Sequence, residues 1–154
     1  MSEQLLADLA AHEARLVFSR FDNDTAWALG SQLVGAARER DLGLTISVRR
    51  GTQRLFHAAL PGTAADNDDW IDRKSRVVDR FGHSSYYMGT LFRLQGTTFE
   101  AATTLDPRLY AAHGGVFPVL VTDVGPVGTV GVSGLPQADD HAFVVQQLAI
   151  FLGL

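Results

Sequence analysis

The chain has 154 residues, 46% hydrophobic and 19% charged, with a formal net charge of -4; this describes one globular domain over residues 1–154, too apolar for disorder and too acidic for a surface built to bind nucleic acid. Its lack of cysteine excludes disulfides, thiolate metal sites and a cysteine nucleophile. No apolar run approaches the roughly 20 residues of a membrane span and no signal-peptide core opens the chain, so a cytoplasmic location without membrane contact is expected.

Leu5, Leu9, His12 and Leu16 share one stripe and predict a helix over about 3–14, followed by a short strand at 16–18. Asp22, Asn23 or Asp24 can cap a second helix over 25–40, with Trp27, Leu29, Leu33, Val34 and Ala37 facing inward. Leu44, Ile46 and Val48 alternate with Thr45, Ser47 and Arg49, the period of a half-buried strand, and residues 50–52 turn it into a return strand at 53–60. That return strand is apolar at both parities (Phe56, Ala58 and Leu60; Leu55 and Ala59), which predicts cover on both faces and so helices above and below the sheet.

A long polar helix over 66–82 places acids four residues ahead of bases, Asp69 with Arg73 and Asp72 with Arg76, the favourable order for ion pairs. Another helix is expected over 84–94, and residues 97–109 read as helix or loop. A second hairpin pairs 116–121 with 127–132, and a last helix over 139–152 opens with acids that suit a helix N-terminus. Two hairpins and buried strand faces predict an α/β (α+β) fold: a three-layer α/β/α sandwich around an antiparallel sheet of about five strands.

Lys74, the one lysine of the chain, falls on the stripe of Trp70, Val77, Val78 and Phe81. It either snorkels to solvent or pairs with a carboxylate or a ligand. Its neighbour Arg73 points about 100° away around the helix. Ser84 and Ser85 follow Gly82 and His83, where they either cap the next helix or complete an anion site with Arg73. Gly114 and Gly115, after His113, either present backbone amides to an anion or make a tight turn. Glycines at 125, 128, 131 and 134 keep a period of three, which holds neither face of a strand and predicts bending or close backbone approach. Ser133-Gly134 is then a turn or a binding loop.

None of the five histidines pair at the spacing of a helical metal site. His12 and His57 read as core or interface groups and His141 as a neutral ring at a helix start. His83 and His113, beside glycines at element ends, are the ligand or metal candidates. Nucleophilic catalysis finds no support, because Ser133 lacks the Gly-x-Ser-x-Gly elbow, and there is no phosphate loop or dinucleotide fingerprint.

Gly114-Gly115-x-x-Pro118, a hairpin, Gly128-x-x-x-Val132-Ser133-Gly134 and a closing helix opened by acids together resemble the C-terminal half of the haem-degrading-domain (GlcG/HbpS-like) family. Trp70-x-x-Arg73-Lys74 and His83-Ser84-Ser85 are similar to a cytoplasmic branch of that family, so the resemblance spans nearly the whole chain. It implies a profilin-like sheet with helices on both sides, a homo-oligomer, and haem or another small anionic ligand as partner. The expected ligand site takes in Arg73, Lys74, His83, Ser84, Ser85, His113, Gly114, Gly115, Ser133 and Gly134, and of these Arg73, His83, Ser84, His113 and Gly114 are expected to converge on one concave region, within one chain or across a subunit interface. The alternative, motivated by the lack of a complete catalytic constellation, is a protein-interaction or assembly module without catalysis.

Overall fold

Local chemistry sets the element boundaries in the computed structural model, which describes residues 2–154. The elements are α1 (Ser2–Arg15), β1 (Val17–Phe18), α2 (Asn23–Glu39), β2 (Thr45–Arg50), β3 (Gln53–Ala59), α3 (Ala65–Phe81), α4 (Ser85–Leu94), α5 (Phe99–Thr103), β4 (Val116–Val121), β5 (Gly125–Ser133) and α6 (Gln137–Leu152). Asp22 starts α2, its Oδ1 accepting from the Thr25 amide at 2.8 Å. Gly82 ends α3 in the left-handed conformation that favours glycine, and Ser84 then caps α4 by accepting from the Tyr87 amide at 3.1 Å.

The five strands lie in the order β1-β4-β5-β2-β3. Every pairing is antiparallel except that of β1, which joins β4 in parallel through two residues. One sheet face is apolar. Ile46, Val48, Phe117, Val119, Val130 and Val132 pack there against Leu29 and Leu33 of α2 and Val144 and Leu148 of α6. The opposite face carries Thr45, Ser47, Arg49, Thr129 and Ser133, all buried, and α3 closes over it. Arg49 pairs there with Asp72 of α3, which Arg54 also reaches at 3.0 Å. Layers of helix, sheet and helix result. No helix among the described residues is long and apolar enough to cross a membrane.

Three expectations give way. Trp27 points outward, 64% exposed, with its ring edge-on to Phe56 at 5.3 Å. Ala26, Leu29, Leu33 and Ala37 already fill the inward stripe of α2, one position away. β3 is an edge strand and mostly exposed or half-buried, whereas β2 is buried from Thr45 to Arg49. Cover on a strand follows its place in the sheet order, which its own residues do not encode. Lastly, the i,i+4 ion pairs of α3 do not form. Asp72 turns to Arg49 and Arg54, Arg73 to the Pro107 carbonyl and Arg76 to the Leu109 carbonyl. An exposed helical pair contributes only about 0.3–0.5 kcal/mol, so tertiary acceptors win.

Candidate functional site

Where β5 ends, the first turns of α3 and α6 and the approach to β4 enclose a cavity of about 280 Å³. Asn67, Trp70 and Lys74 line it from α3, His113 and Gly114 from the β4 approach, Ser133 and Gly134 from β5, and Gln137 and Asp140 from α6. Lys74 forms its floor and is 2% exposed. Its Nζ donates to the Val132 carbonyl at 2.9 Å, the Gly114 carbonyl at 3.1 Å and Asp140 Oδ2 at 3.5 Å. Three ammonium protons meet three acceptors. Asp140 Oδ1 accepts in turn from the Leu135 amide at 2.9 Å, so this ion pair ties α3, the end of β5 and α6 together.

Burial sets the electrostatics. It pushes the Asp140 carboxyl up to about 6, with Lys74 opposing. It also lowers the Lys74 ammonium, with Asp140 opposing. His113 is lowered, chiefly by burial, and stands as a neutral ring edge-on to Trp70 at 5.4 Å. Asn67 Nδ2 donates to Ser133 Oγ at 3.3 Å. Gln137 Oε1 accepts from the Gly114 amide at 3.1 Å, which leaves Gln137 Nε2 without a partner among the described residues.

The structure therefore brings together Lys74, His113, Gly114, Ser133 and Gly134. Gly115 lies directly behind them with φ 136°, and a methyl group there would collide with Lys74 Nζ. The Gly114-Gly115 pair makes a close-packed turn, its Gly114 amide already bonded to Gln137 and the Gly115 carbonyl accepting from Val132 at 2.9 Å. Arg73 stands outside the lining. Its guanidinium lies 4.4 Å over the Trp70 ring and is anchored on Pro107, so it positions the tryptophan.

His83, Ser84 and Ser85 gather elsewhere, where α1 meets α4. His83 Nδ1 sits 2.6 Å from Glu13 Oε1 with its ring stacked on Tyr87, Ser84 caps α4, and Ser85 Oγ bonds the backbone of Val116. Burial raises the Glu13 carboxyl, opposed by His83. Asn67, Gln137, Asp140 and Glu13 were not among the expected site residues. A lone lysine on an apolar stripe does ask for a counter-charge, and Asp140 stands in the acidic run that opens α6. No signal ties Glu13 to a histidine 70 residues away.

A second cavity, about 510 Å³, lies between α1 and α6 with Tyr86 of α4 on one wall. Leu5, Leu9 and Val145 make it largely apolar, and two imidazoles enter it, His12 and His141. His141 is 5% exposed, and neither of its ring nitrogens has a hydrogen-bond partner among the described residues; Nδ1 of His12 is in the same position. Burial, and then His12, push the His141 ring down to about 4; His12 itself is lowered, first by burial and then by Arg15. The two rings are 6.1 Å apart, with Tyr86 at 5.0 Å from His141. Leaving a buried polar group unpaired costs about 1–3 kcal/mol, so this arrangement suits a partner supplied from outside the chain. No group of three or more His, Asp or Glu side chains among the described residues is placed to hold a metal ion.

Comparison with known proteins agrees with this architecture. A UPF0303 protein of Streptomyces coelicolor is 60% identical over 148 residues, covering 96% of this chain and 94% of its own. The crystal structure of Ybr137w superposes with a TM-score of 0.90 at 32% identity, over 99% of this chain and 94% of that one. That of the PduOC:haem complex has a TM-score of 0.70 at 13% identity, over 85% and 94% of the two chains, a likeness of fold. The family of the haem-degrading protein HbpS matches residues 21–149, and the chain belongs to this HbpS-like family.

Proposed function

We propose that the chain binds haem in the cavity between α1 and α6. The observation that carries this reading is His141, a buried imidazole with both nitrogens unpartnered, facing an apolar cavity beside a second imidazole, His12. Size supports the choice of cavity. Drug-sized ligands occupy roughly 300–1,000 Å³; the α1–α6 cavity at about 510 Å³ falls within that range, and the polar pocket at about 280 Å³ falls below it. The family and the haem complex among its structural neighbours point the same way.

Haem, when bound, would supply an iron centre that an imidazole nitrogen of His141 or His12 could ligate. On the protein side, burial holds the His141 ring down at about 4, so at neutral pH it is uncharged and its lone pair is free of a proton. Leu5, Leu9 and Val145 exclude water, and Tyr86 limits the tilt of the His141 ring. A Soret titration tests the reading: His141→Ala or His12→Ala should abolish the shifted band or weaken binding at least tenfold. A band that survives both changes and disappears with His113→Ala or His83→Ala would move the site elsewhere and sink this assignment. Absence of any band supports the interaction-module alternative.

The same reading includes a homo-oligomer. β3 leaves its outer edge unpaired, and Trp27 stands exposed against Phe56 of that strand, features that natural monomers blunt. Light scattering at micromolar concentration should give a mass that is a multiple of 16.7 kDa. A single-chain mass refutes it.

A further inference from the structure

We propose that the polar pocket at the end of β5 binds a small carboxylate, and that Asp140 is the internal anion which this ligand replaces as the counter-charge of Lys74. Three observations carry the proposal. First, the interior is rich in donors: Lys74 Nζ at the floor, the free Nε2 of Gln137, Asn67 Nδ2, and the Ser133 hydroxyl, on a residue 4% exposed. Such a wall suits an acceptor-rich ligand.

Second, Lys74 cannot swing away when Asp140 loses its charge, because the Val132 and Gly114 carbonyls hold its ammonium in place. A cation fixed in a low-dielectric pocket without its counter-ion attracts an anion of matching size. Third, the volume of about 280 Å³ admits only a small molecule, and the Trp70 and His113 rings offer it flat surfaces. The N-terminal turns of α3 and α6, which border the pocket, add positive potential.

The charged and titratable groups facing Asp140 across the pocket are Lys74 and Asp66 of α3 and His113 of the β4 approach; β5 contributes only the Ser133 hydroxyl. With Asp140 ionised, Lys74 is already neutralised and Asp66 repels an anion at the rim. As pH falls through about 6, Asp140 takes up a proton and releases Lys74, while a ligand carboxylate of ordinary acidity near 4 stays ionised. Binding of the anion is therefore coupled to proton uptake. This site is separate from the α1–α6 cavity, so the proposal stands or falls independently of haem binding.

Benzoate is the probe, and benzamide its uncharged counterpart of the same shape. Calorimetric titration at about pH 7.5 should show Asp140→Asn binding benzoate about tenfold or more tightly than the wild type, because only a few per cent of wild-type molecules are then in the competent form. Wild-type affinity should rise by about the same factor on going to about pH 5, and benzamide should respond to neither change. A merely structural ion pair predicts the opposite sign, since removing Asp140 would then loosen the pocket. Weaker or unchanged benzoate binding in Asp140→Asn overturns the proposal, as does a wild-type affinity that is flat with pH or matched by benzamide. If Asp140→Asn does not fold, the wild-type pH series decides.

Discussion

Methionine in place of Lys74 is expected to remove about 3–5 kcal/mol of stability at pH 7, the usual consequence of breaking a buried ion pair from one side. Lys74→Met leaves the Asp140 carboxylate buried without its cation and frees the Gly114 and Val132 carbonyls of their donor. Against a total of roughly 5–15 kcal/mol for a domain, that is enough to bring the protein close to unfolding. The loss should shrink as pH falls from the alkaline side towards about 6 and level off below it, because the stranded carboxyl, without Lys74 to oppose its burial, holds its proton to a higher pH than in the wild type. Denaturant midpoints at two pH values check both parts. A loss under about 1 kcal/mol at neutral pH would mean that the pair contributes no more than a surface contact.

The second large effect concerns the next residue of α6. His141 titrates at about 4 in the folded chain, against 6.5 when unperturbed. A depressed histidine stabilises the fold fully above its unfolded value, and that contribution is lost as pH falls through 6.5 towards 4. At 1.36 kcal/mol per pH unit the difference amounts to roughly 3 kcal/mol. His141→Phe keeps a ring beside Tyr86 and Phe117 and has nothing to protonate. The stability of the wild type relative to His141→Phe should therefore fall by roughly 3 kcal/mol between pH 7 and pH 4. Taking the difference cancels Asp140 and Glu13, whose raised values act in the opposite direction. Parallel pH curves for the two proteins would show that the ring is not desolvated as the structure describes.

Periodicity and turn chemistry made most elements of the fold legible in the sequence. Alternation in 44–49 and the Asp22 cap each act within a few residues, and the structure places the strand and the cap accordingly, although β2 is buried on both faces instead of one. The exposure of β3 was not legible, because an apolar residue such as Leu55 or Ala59 reads the same in an edge strand as in a central one. At the site, Lys74 announced itself as a charge on an apolar stripe, but its choice among solvent, carboxylate and ligand depended on a chain crossing 66 residues away. The histidines show the limit most clearly. Glycines flank His83 and His113 and mark them as candidates, whereas His12 reads as a core or interface group and His141 as a neutral ring at a helix start, although theirs are the rings with buried unpartnered nitrogens. An imidazole's hydrogen-bond deficit is a property of the assembled neighbourhood and leaves no local mark.

The two faces of the sheet differ in how they are held, and this gives the molecule an asymmetric way of opening. Under α2 and α6 the layers adhere through one large aliphatic and aromatic cluster, whose exposure water does not compensate. Under α3 the contact includes the Arg49–Asp72 pair, the Lys74 triad and the Asn67–Ser133 bond, polar links that water can replace one by one. Local opening draws on the regions with the least apolar adhesion, so α3 belongs to the lower-energy cooperative unit and the α2–α6 face to the last one to give way. Amides of α3 itself then exchange with solvent through a partial excursion, while those of Ile46, Val48 and Val130, in the paired strands β2 and β5, wait for global unfolding.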